Sequence, residues 1–268
     1  NEEHKSAIDL YMAAKDMLKY WCVDEMRDGI IYALDAMAED SSAYNESTGK
    51  PKQVNYADAS ATQRNTWATN NVNRVLFGDA VANYSTTMST ALGNITTSMT
   101  LGLEEISLMK RIAKARDRDT GRSAVRPIRV ENGNGREYYI MFVDSTAFRD
   151  IKAAMTTANL DGRPRDPGSN PYFQDGDLIY DGVIIKEIPE IAATGTVGAS
   201  SARVVPAYFC GAQALGIAYG QELKITQRKE DDYGFVKGVG VEELWSAEKL
   251  FYNNQQHGLV TGFFYAAA

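Results

Sequence analysis

Near the start of the chain, Ile8, Tyr11, Met12, Leu18, Trp21, Cys22, Ile30, Leu34 and Met37 recur mostly three or four residues apart, with Lys15, Asp16, Lys19, Asp24 and Arg27 between them. One face of a 3.6-residue spiral gathers positions at that interval, so the spacing predicts an amphipathic helix over Lys5 to Met37. If continuous, it reaches about 50 Å at 1.5 Å per residue, whereas a compact chain of this length has a radius of gyration of only about 18 Å. The subunit is therefore expected to be elongated or flat. Gly29 is expected to bend the helix, because a mid-helix glycine lacks side-chain support and costs up to about 1 kcal/mol relative to alanine. From Glu39 to Thr100 the pattern dissolves into Ser, Thr, Asn and Ala, anchored by Tyr56, Trp67, the Val75-Leu76-Phe77 cluster and Val81. Structureless loops of such length are uncommon inside one compact domain. Either short elements interrupt this stretch or it lies along a neighbouring chain.

Helical spacing returns at Leu103, Ile106, Leu108, Met109, Ile112 and Ala113, with Glu104 and Glu105 favouring the N-terminal end, and predicts a second helix to about Ala115. Val125 to Val130 and Glu137 to Val143 flank Asn132-Gly-Asn-Gly, the strongest hairpin signal in the chain, because Asn and Gly tolerate positive φ. Ser145 is placed to cap a third helix to about Thr157. Asp161 to Asn170, rich in Gly, Pro and Arg, reads as an exposed loop. Leu178 to Ile188 and Val204 to Phe209 read as strands, Ala212 to Tyr219 as a short packed turn or helix, and Glu222 to Lys229 as an alternating strand. Gly258 to Tyr265 is apolar and aromatic; each buried Phe ring contributes roughly 1.5 to 3 kcal/mol, so this tail is expected to pack somewhere.

Composition narrows what such a chain does. Its 268 residues, 44% apolar and 24% charged, suffice for one compact unit or two intimately joined subdomains. A net charge of −7 argues against a protein built to grip phosphate backbones, although an acidic wall around DNA is compatible with it. Cys22 and Cys210 lie far apart, form no CxxC pair and read as small buried apolar residues. His4 and His257 are the only histidines, which leaves little for a His-based triad or metal cluster. Without an apolar run of about 18 residues or a signal sequence, the chain reads as soluble and cytoplasmic, with no membrane partner. It begins at Asn1 rather than Met, so it is expected to follow a proteolytic cut or to lack upstream residues. Asn45-Glu-Ser, Asn83-Tyr-Ser and Asn94-Ile-Thr match glycosylation acceptors, a pattern that recurs by chance, and nothing here suggests secretion.

Candidate chemistry is sparse. Asp231-Asp232 lacks the alternating oxygen ligands of a calcium loop and reads as a solvated acidic turn. Gly238-Val-Gly240 is a fragment of a nucleotide-binding fingerprint, and neither GxxxxGK[ST] nor a GxSxG elbow occurs. Arg111, Arg116, Arg118, Arg122, Arg126 and Arg129 form the densest basic stretch; because Asp117 and Asp119 interleave with them, subunit contacts or plain solvation are favoured over nucleic acid. No catalytic, cofactor-binding or metal-ligating residue is assigned, and the chain is read as no enzyme.

Three blocks point to a family. Arg126-Pro-Ile-Arg-Val followed by Glu137-Tyr-Tyr-Ile-Met-Phe-Val resembles the "RPIRV … YYVMF" block of the N-four-like branch of tailed-bacteriophage major capsid proteins. Asn170-Pro-Tyr-Phe with Asp181-Gly-Val-Ile-Ile-Lys-Glu resembles its "NPLF … DGVVIHE" stretch, and Phe209-Cys-Gly-Ala-Gln-Ala-Leu its "GAQAL" signature, in the same order and at comparable spacing. The resemblance covers Leu103 to Tyr219 and weakens towards both ends. It implies the α+β Hong Kong 97-like phage capsid fold, with a long spine helix in a peripheral domain and a separate axial domain. Residues 1–40 would supply the spine helix, 41–102 an extended polar segment linking or decorating the domains, 103–219 the axial domain, and 220–268 the return to the peripheral sheet and the C-terminal tail.

Family members normally carry an N-terminal arm and an extended loop before the spine helix. This chain starts almost at the helix, so crosslinking chemistry known from such loops maps onto no residue here. The implied function is self-assembly into pentamers and hexamers of an icosahedral head around double-stranded DNA, bound without sequence specificity and assembled in the bacterial host cytoplasm. Portal, scaffold and cement proteins are the further partners the resemblance suggests. Candidate subunit-contact residues are Arg111, Arg116, Arg118, Arg122, Arg126, Arg163, Arg165, Phe263, Phe264 and Tyr265, together with the polar stretch Ser41 to Thr100. An encapsulin-like shell around a cargo enzyme, and a soluble enzyme with an unrecognised site, are the alternatives.

Overall fold

The computed structural model describes residues 10–39, 53–116, 123–129, 137–160, 177–228, 238–252 and 255–268. Helix α1 (Leu10–Asp35) leads into β1 (Ala36–Glu39), which pairs antiparallel with β2 (Gln53–Asn55). Then come α2 (Ala61–Asn70), β3 (Val75–Phe77), α3 (Met88–Gly93), α4 (Leu103–Lys114), β4 (Ile128–Arg129), β5 (Glu137–Val143) and α5 (Ser145–Leu160). The rest is strand: β6 (Asp177–Tyr180), β7 (Val183–Glu187), β8 (Val204–Cys210), β9 (Leu215–Gln227), β10 (Val239–Lys249), β11 (Phe251–Tyr252), β12 (Gln255–Gln256) and β13 (Leu259–Tyr265).

Among the described residues the main sheet has seven strands in the order β3-β13-β8-β5-β7-β6, with β4 added alongside β5. Strand β8 is buried along its whole length because β5 and β13 flank it, which is why Val204 to Cys210 reads as a nearly continuous apolar run. On one side the sheet packs against α4 and α5 through Ile106, Met109, Phe148 and Ile151, all buried with Met141, Ile185 and Phe209. A second core gathers Trp67, Phe77, Met88, Leu92, Ile95 and Phe263.

That second core settles how the polar stretch after α1 is arranged from Gln53 onward: it contains short elements packed into its own chain. Ser60 caps α2 through a reciprocal pair of hydrogen bonds with Gln63. Buried polar groups then tie the stretch to the last strand. Asn71 Nδ2 donates to the Trp67 carbonyl at 2.9 Å, the Gln256 N–H donates to Asn71 Oδ1 at 2.8 Å, and Thr261 Oγ1 donates to Gln256 Oε1 at 3.1 Å. Composition hid this, because the apolar anchors are few and far apart while long-range polar contacts do the joining.

Several other expectations are revised. Gly29 does not bend α1, which runs unbroken; instead the Trp245 ring of β10 lies where a Cβ would be, so glycine is there to let the strand approach. Leu178 to Ile188 is two strands, turned by Asp181 and Gly182 at φ 46° and 73°, the two-residue hairpin geometry that Asp-Gly favours. Ala212 to Tyr219 turns only at its start and then enters β9. The cap of α5 is Asp144 rather than Ser145: its carboxylate accepts from the Thr146 backbone at 3.3 Å. Residues 220–268 divide, since β10 packs on α1 whereas β13 enters the main sheet. The turn at Asn132-Gly-Asn-Gly, Asp161 to Asn170 and Asp231-Asp232 lie outside the described residues.

Candidate assembly surface

Helix α1 is 26 residues long, about 39 Å at 1.5 Å per residue, and its two ends live in different surroundings. Towards the C-terminal end, Ile31 and Leu34 are buried with Tyr208, Cys210, Ala214 and Leu259, which seats the helix on the main sheet. Further back its support is the β9–β10 hairpin. Trp245 lies over Gly29, and the Tyr219 hydroxyl approaches Met26 Sδ at 3.5 Å. Met12 and Trp21, read from the sequence as part of the buried stripe, are exposed, and with Met17, Tyr20 and Val23 they leave much of the helix surface apolar and open: Tyr20 is 73% accessible and Trp21 56%.

The hairpin continues this surface. Strands β9 and β10 pair antiparallel from Leu215↔Lys249 to Gln227↔Val239, with register shifts around Leu244. Among the described residues neither outer edge meets another strand. Ile217, Tyr219, Leu223 and Leu244 are exposed on it. An isolated two-stranded ribbon is marginal in water, and α1 covers only part of this one. Soluble monomers rarely keep contiguous apolar patches of this kind, which mark sites of protein–protein contact.

Polar groups buried at the root of the hairpin set how it projects from the sheet. Lys249 Nζ donates to the Ala36 carbonyl at 2.8 Å, and the Tyr208 hydroxyl donates to Asp35 Oδ1 at 2.9 Å. Helix α1, the central strand β8 and the returning strand β10 are thereby fastened at one point. Burial raises the Asp35 pKa against the lowering effects of the Tyr208 hydrogen bond and the nearby Lys249 charge. Burial also pulls Lys249 down to about 8 and pushes the neighbouring Cys210 up to about 12. The same desolvation holds Tyr208 well above its ordinary value. A stability-driven core seldom carries such groups, because several kcal/mol of desolvation must be offset by pairing.

The residues expected at subunit contacts separate into two groups. Arg111, Arg116 and Arg126 are exposed. They cluster where α4 ends, because the Val125 N–H donates to the Ala113 carbonyl at 2.8 Å and brings the later segment back beside the helix. Phe263 and Phe264, by contrast, are interior: Phe263 stacks on Phe77 at 5.3 Å and meets Trp67 edge-on at 6.2 Å, so these rings stabilise the protomer rather than face a neighbour. Tyr265 is partly buried against the same core, its N–H donating to the Met99 carbonyl at 2.9 Å. Arg118, Arg122, Arg163 and Arg165 lie outside the described residues. Sequence reasoning missed the open surface shared by α1 and the hairpin, and the Asp35–Tyr208–Lys249 junction. Only the first left a signal, since Met17, Tyr20 and Val23 are apolar residues off the helical stripe.

No described group of His, Cys, Asp and Glu is arranged to hold a metal ion, and no described helix is long and apolar enough to cross a membrane. No curated protein matches the chain. A family model described as phage capsid protein matches residues 1–262. Among solved structures, the capsid asymmetric unit of cyanophage Pam1 is 37% identical with a TM-score of 0.81, over 99% of this chain and 71% of that one. The capsid of Ralstonia phage GP4 shares the fold at 17% identity and a TM-score of 0.70, covering 99% and 70%. The head of Helicobacter pylori bacteriophage KHP40 does so at 14% and 0.58, covering 99% and 71%. These likenesses favour neither a cargo-enclosing compartment nor a soluble enzyme.

Proposed function

The chain belongs to the phage capsid protein family, and from that premise we propose that it is the major capsid protein, the repeated subunit of a phage head shell. The observation that carries the proposal is the open apolar surface of α1 and the β9–β10 hairpin on a chain whose main sheet buries Phe77, Phe209, Phe263 and Phe264. A contiguous surface of that kind marks a site of protein–protein contact, and neighbouring copies of the chain supply the cover. The family's role is structural, and the contacts carry the function.

In the finer reading, pentamers and hexamers close an icosahedral shell around double-stranded DNA without reading its sequence. The shell assembles in the bacterial host cytoplasm, with portal, scaffold and cement proteins as partners. Residues 1–40 supply the spine helix of the peripheral domain, and 103–219 most of the axial domain. Residues 41–102 link the two, the hairpin half of 220–268 returns to the spine helix, and β13 closes the axial sheet. The block Arg126 to Val143 and the GAQAL stretch support placing the chain in the N-four-like branch. Arg111, Arg116, Arg118, Arg122, Arg126, Arg163 and Arg165 serve as subunit contacts, the described ones among them being exposed. Electron microscopy of the full-length gene product tests the reading. Rings or closed shells are expected; a lone globule at high concentration under every assembly condition would overturn it.

A further inference from the structure

Several opposite charges pair within the chain: Arg27 with Glu190 at 2.6 Å, Lys110 with Asp181 at 2.7 Å, Arg129 with Glu137 at 3.1 Å and Arg149 with Asp150 at 3.1 Å. Among the described residues, two regions carry clusters of unpaired charge of mostly one sign, the first with Lys224 as its exposed cation on β9. Around the open apolar surface, Asp28 of α1, Glu222 of β9 and Glu248 of β10 are exposed and make no ion pair with a described residue. Glu25 and Glu243 both come near enough to Cys22 to raise its pKa, after burial itself, so carboxylates from helix and hairpin converge on one rim. At the end of α4, Arg111, Lys114, Arg116 and Arg126 are exposed, likewise without an ion pair to a described carboxylate.

Helix α4 packs on β13 and α5, and α1 packs on the hairpin, so the two sets of charges belong to different parts of one molecule. We infer that the acidic, apolar surface of α1 and the β9–β10 hairpin is covered by the basic end of α4 from the next copy of the chain. Such a contact is heterologous: each copy offers one patch forwards and the other backwards, the arrangement that closes rings. The apolar residues supply the driving force, while the charges fix which patch meets which and exclude like-with-like pairing. An arginine fork aimed at carboxylates also gives orientation that apolar contact alone lacks.

The inference rests on the shell reading, and charge exchange tests it separately. Unaltered protein forming rings or shells establishes the first reading by itself. Asp28→Lys, Glu222→Lys and Glu248→Lys together, or Arg111→Glu, Arg116→Glu and Arg126→Glu together, should each cut the assembled fraction at least tenfold by sedimentation. These positions are exposed, so circular dichroism should show each variant folded. Mixing the two variant chains leaves like charges facing in each homotypic contact but opposite charges in each mixed one, so alternating assemblies should recover. Combining all six changes in one chain restores opposite charges at every contact and should also recover assembly. Normal assembly of either triple variant would overturn the inference, as would a folded six-fold variant that stays unassembled. Arginine-reversed shells that form normally but lose DNA would also overturn it, assigning the basic end of α4 to the genome.

Discussion

The main sheet and the α1–hairpin unit use the same kinds of side chain to opposite ends. Around β13, Phe263 is 1% exposed and lies between Phe77 and Trp67, while across the molecule Tyr20, Trp21 and Leu244 stand more than half open. The sheet reaches its free-energy minimum inside one chain. The other unit cannot, because a helix on a two-stranded ribbon has too few layers to cover its own apolar surface. On the proposed reading one region packs within the protomer and the other between protomers, and the junction at Asp35, Tyr208 and Lys249 ties α1 and β10 to the sheet.

That division is most sharply tested inside the sheet. Phe263→Ala removes a ring from between two aromatic partners and should lower unfolding free energy by about 3–5 kcal/mol, read from denaturant titration. A loss below about 1 kcal/mol would mean that the strand is not a core strand in solution. At the boundary, Gly29→Ala drives a methyl group into the Trp245 ring. The expected cost is about 1–3 kcal/mol from overpacking, set against up to about 1 kcal/mol gained in helix propensity. Trp245→Leu in the same chain should recover part of the loss, which a defect in the helix alone would not allow.

The sequence revealed the sheet side far better than the other. Helix α4, strand β5, helix α5 and strand β8 were legible because each has one fully covered face, which imposes a clean 3.6 or 2.0 periodicity or a continuous apolar run. Asp181-Gly182 was a hairpin signal overlooked within a long β-prone stretch. Trp67 and Phe77 were legible as anchors, but not the Asn71–Gln256–Thr261 bonds that bind them to β13, since a long-range polar contact has no period. On α1 the apolar residues point both inward and outward, so a stripe drawn through them placed Trp21 on the wrong side. The buried junction left no trace either: Lys249 ends a strand of mixed polarity, and only the fold brings it to Ala36.

At the junction pH gives a smaller effect with a definite sign. Lys249 titrates near 8 when folded and at its ordinary 10.5 when unfolded, so between those values the unfolded chain holds more protons and stability rises with pH. Cys210 works in the other direction above pH 9, where the unfolded thiol ionises and the folded one, at about 12, does not. The clean window is pH 8 to 9. Unaltered protein should gain up to about 1 kcal/mol relative to Lys249→Met across it, seen as a melting temperature that rises against the variant's flat line. Parallel lines would mean that Lys249 is solvated and that the junction is open.

The smallest change in protomer stability is expected where the sequence misled most. Trp21→Ser replaces a ring that is 56% exposed and should shift unfolding free energy by no more than about 0.5 kcal/mol. If that surface is completed by a second copy, however, the same substitution should sharply reduce assembly, because aromatic anchors that become fully desolvated carry a large share of interface energy, commonly 2 kcal/mol or more each. Denaturant titration and sedimentation on one sample separate the two effects. A variant with an unchanged protomer and weakened shells places Trp21 between copies. One that unfolds easily and, once folded, assembles normally would return the ring to the interior and erase the contrast between the two halves of the molecule.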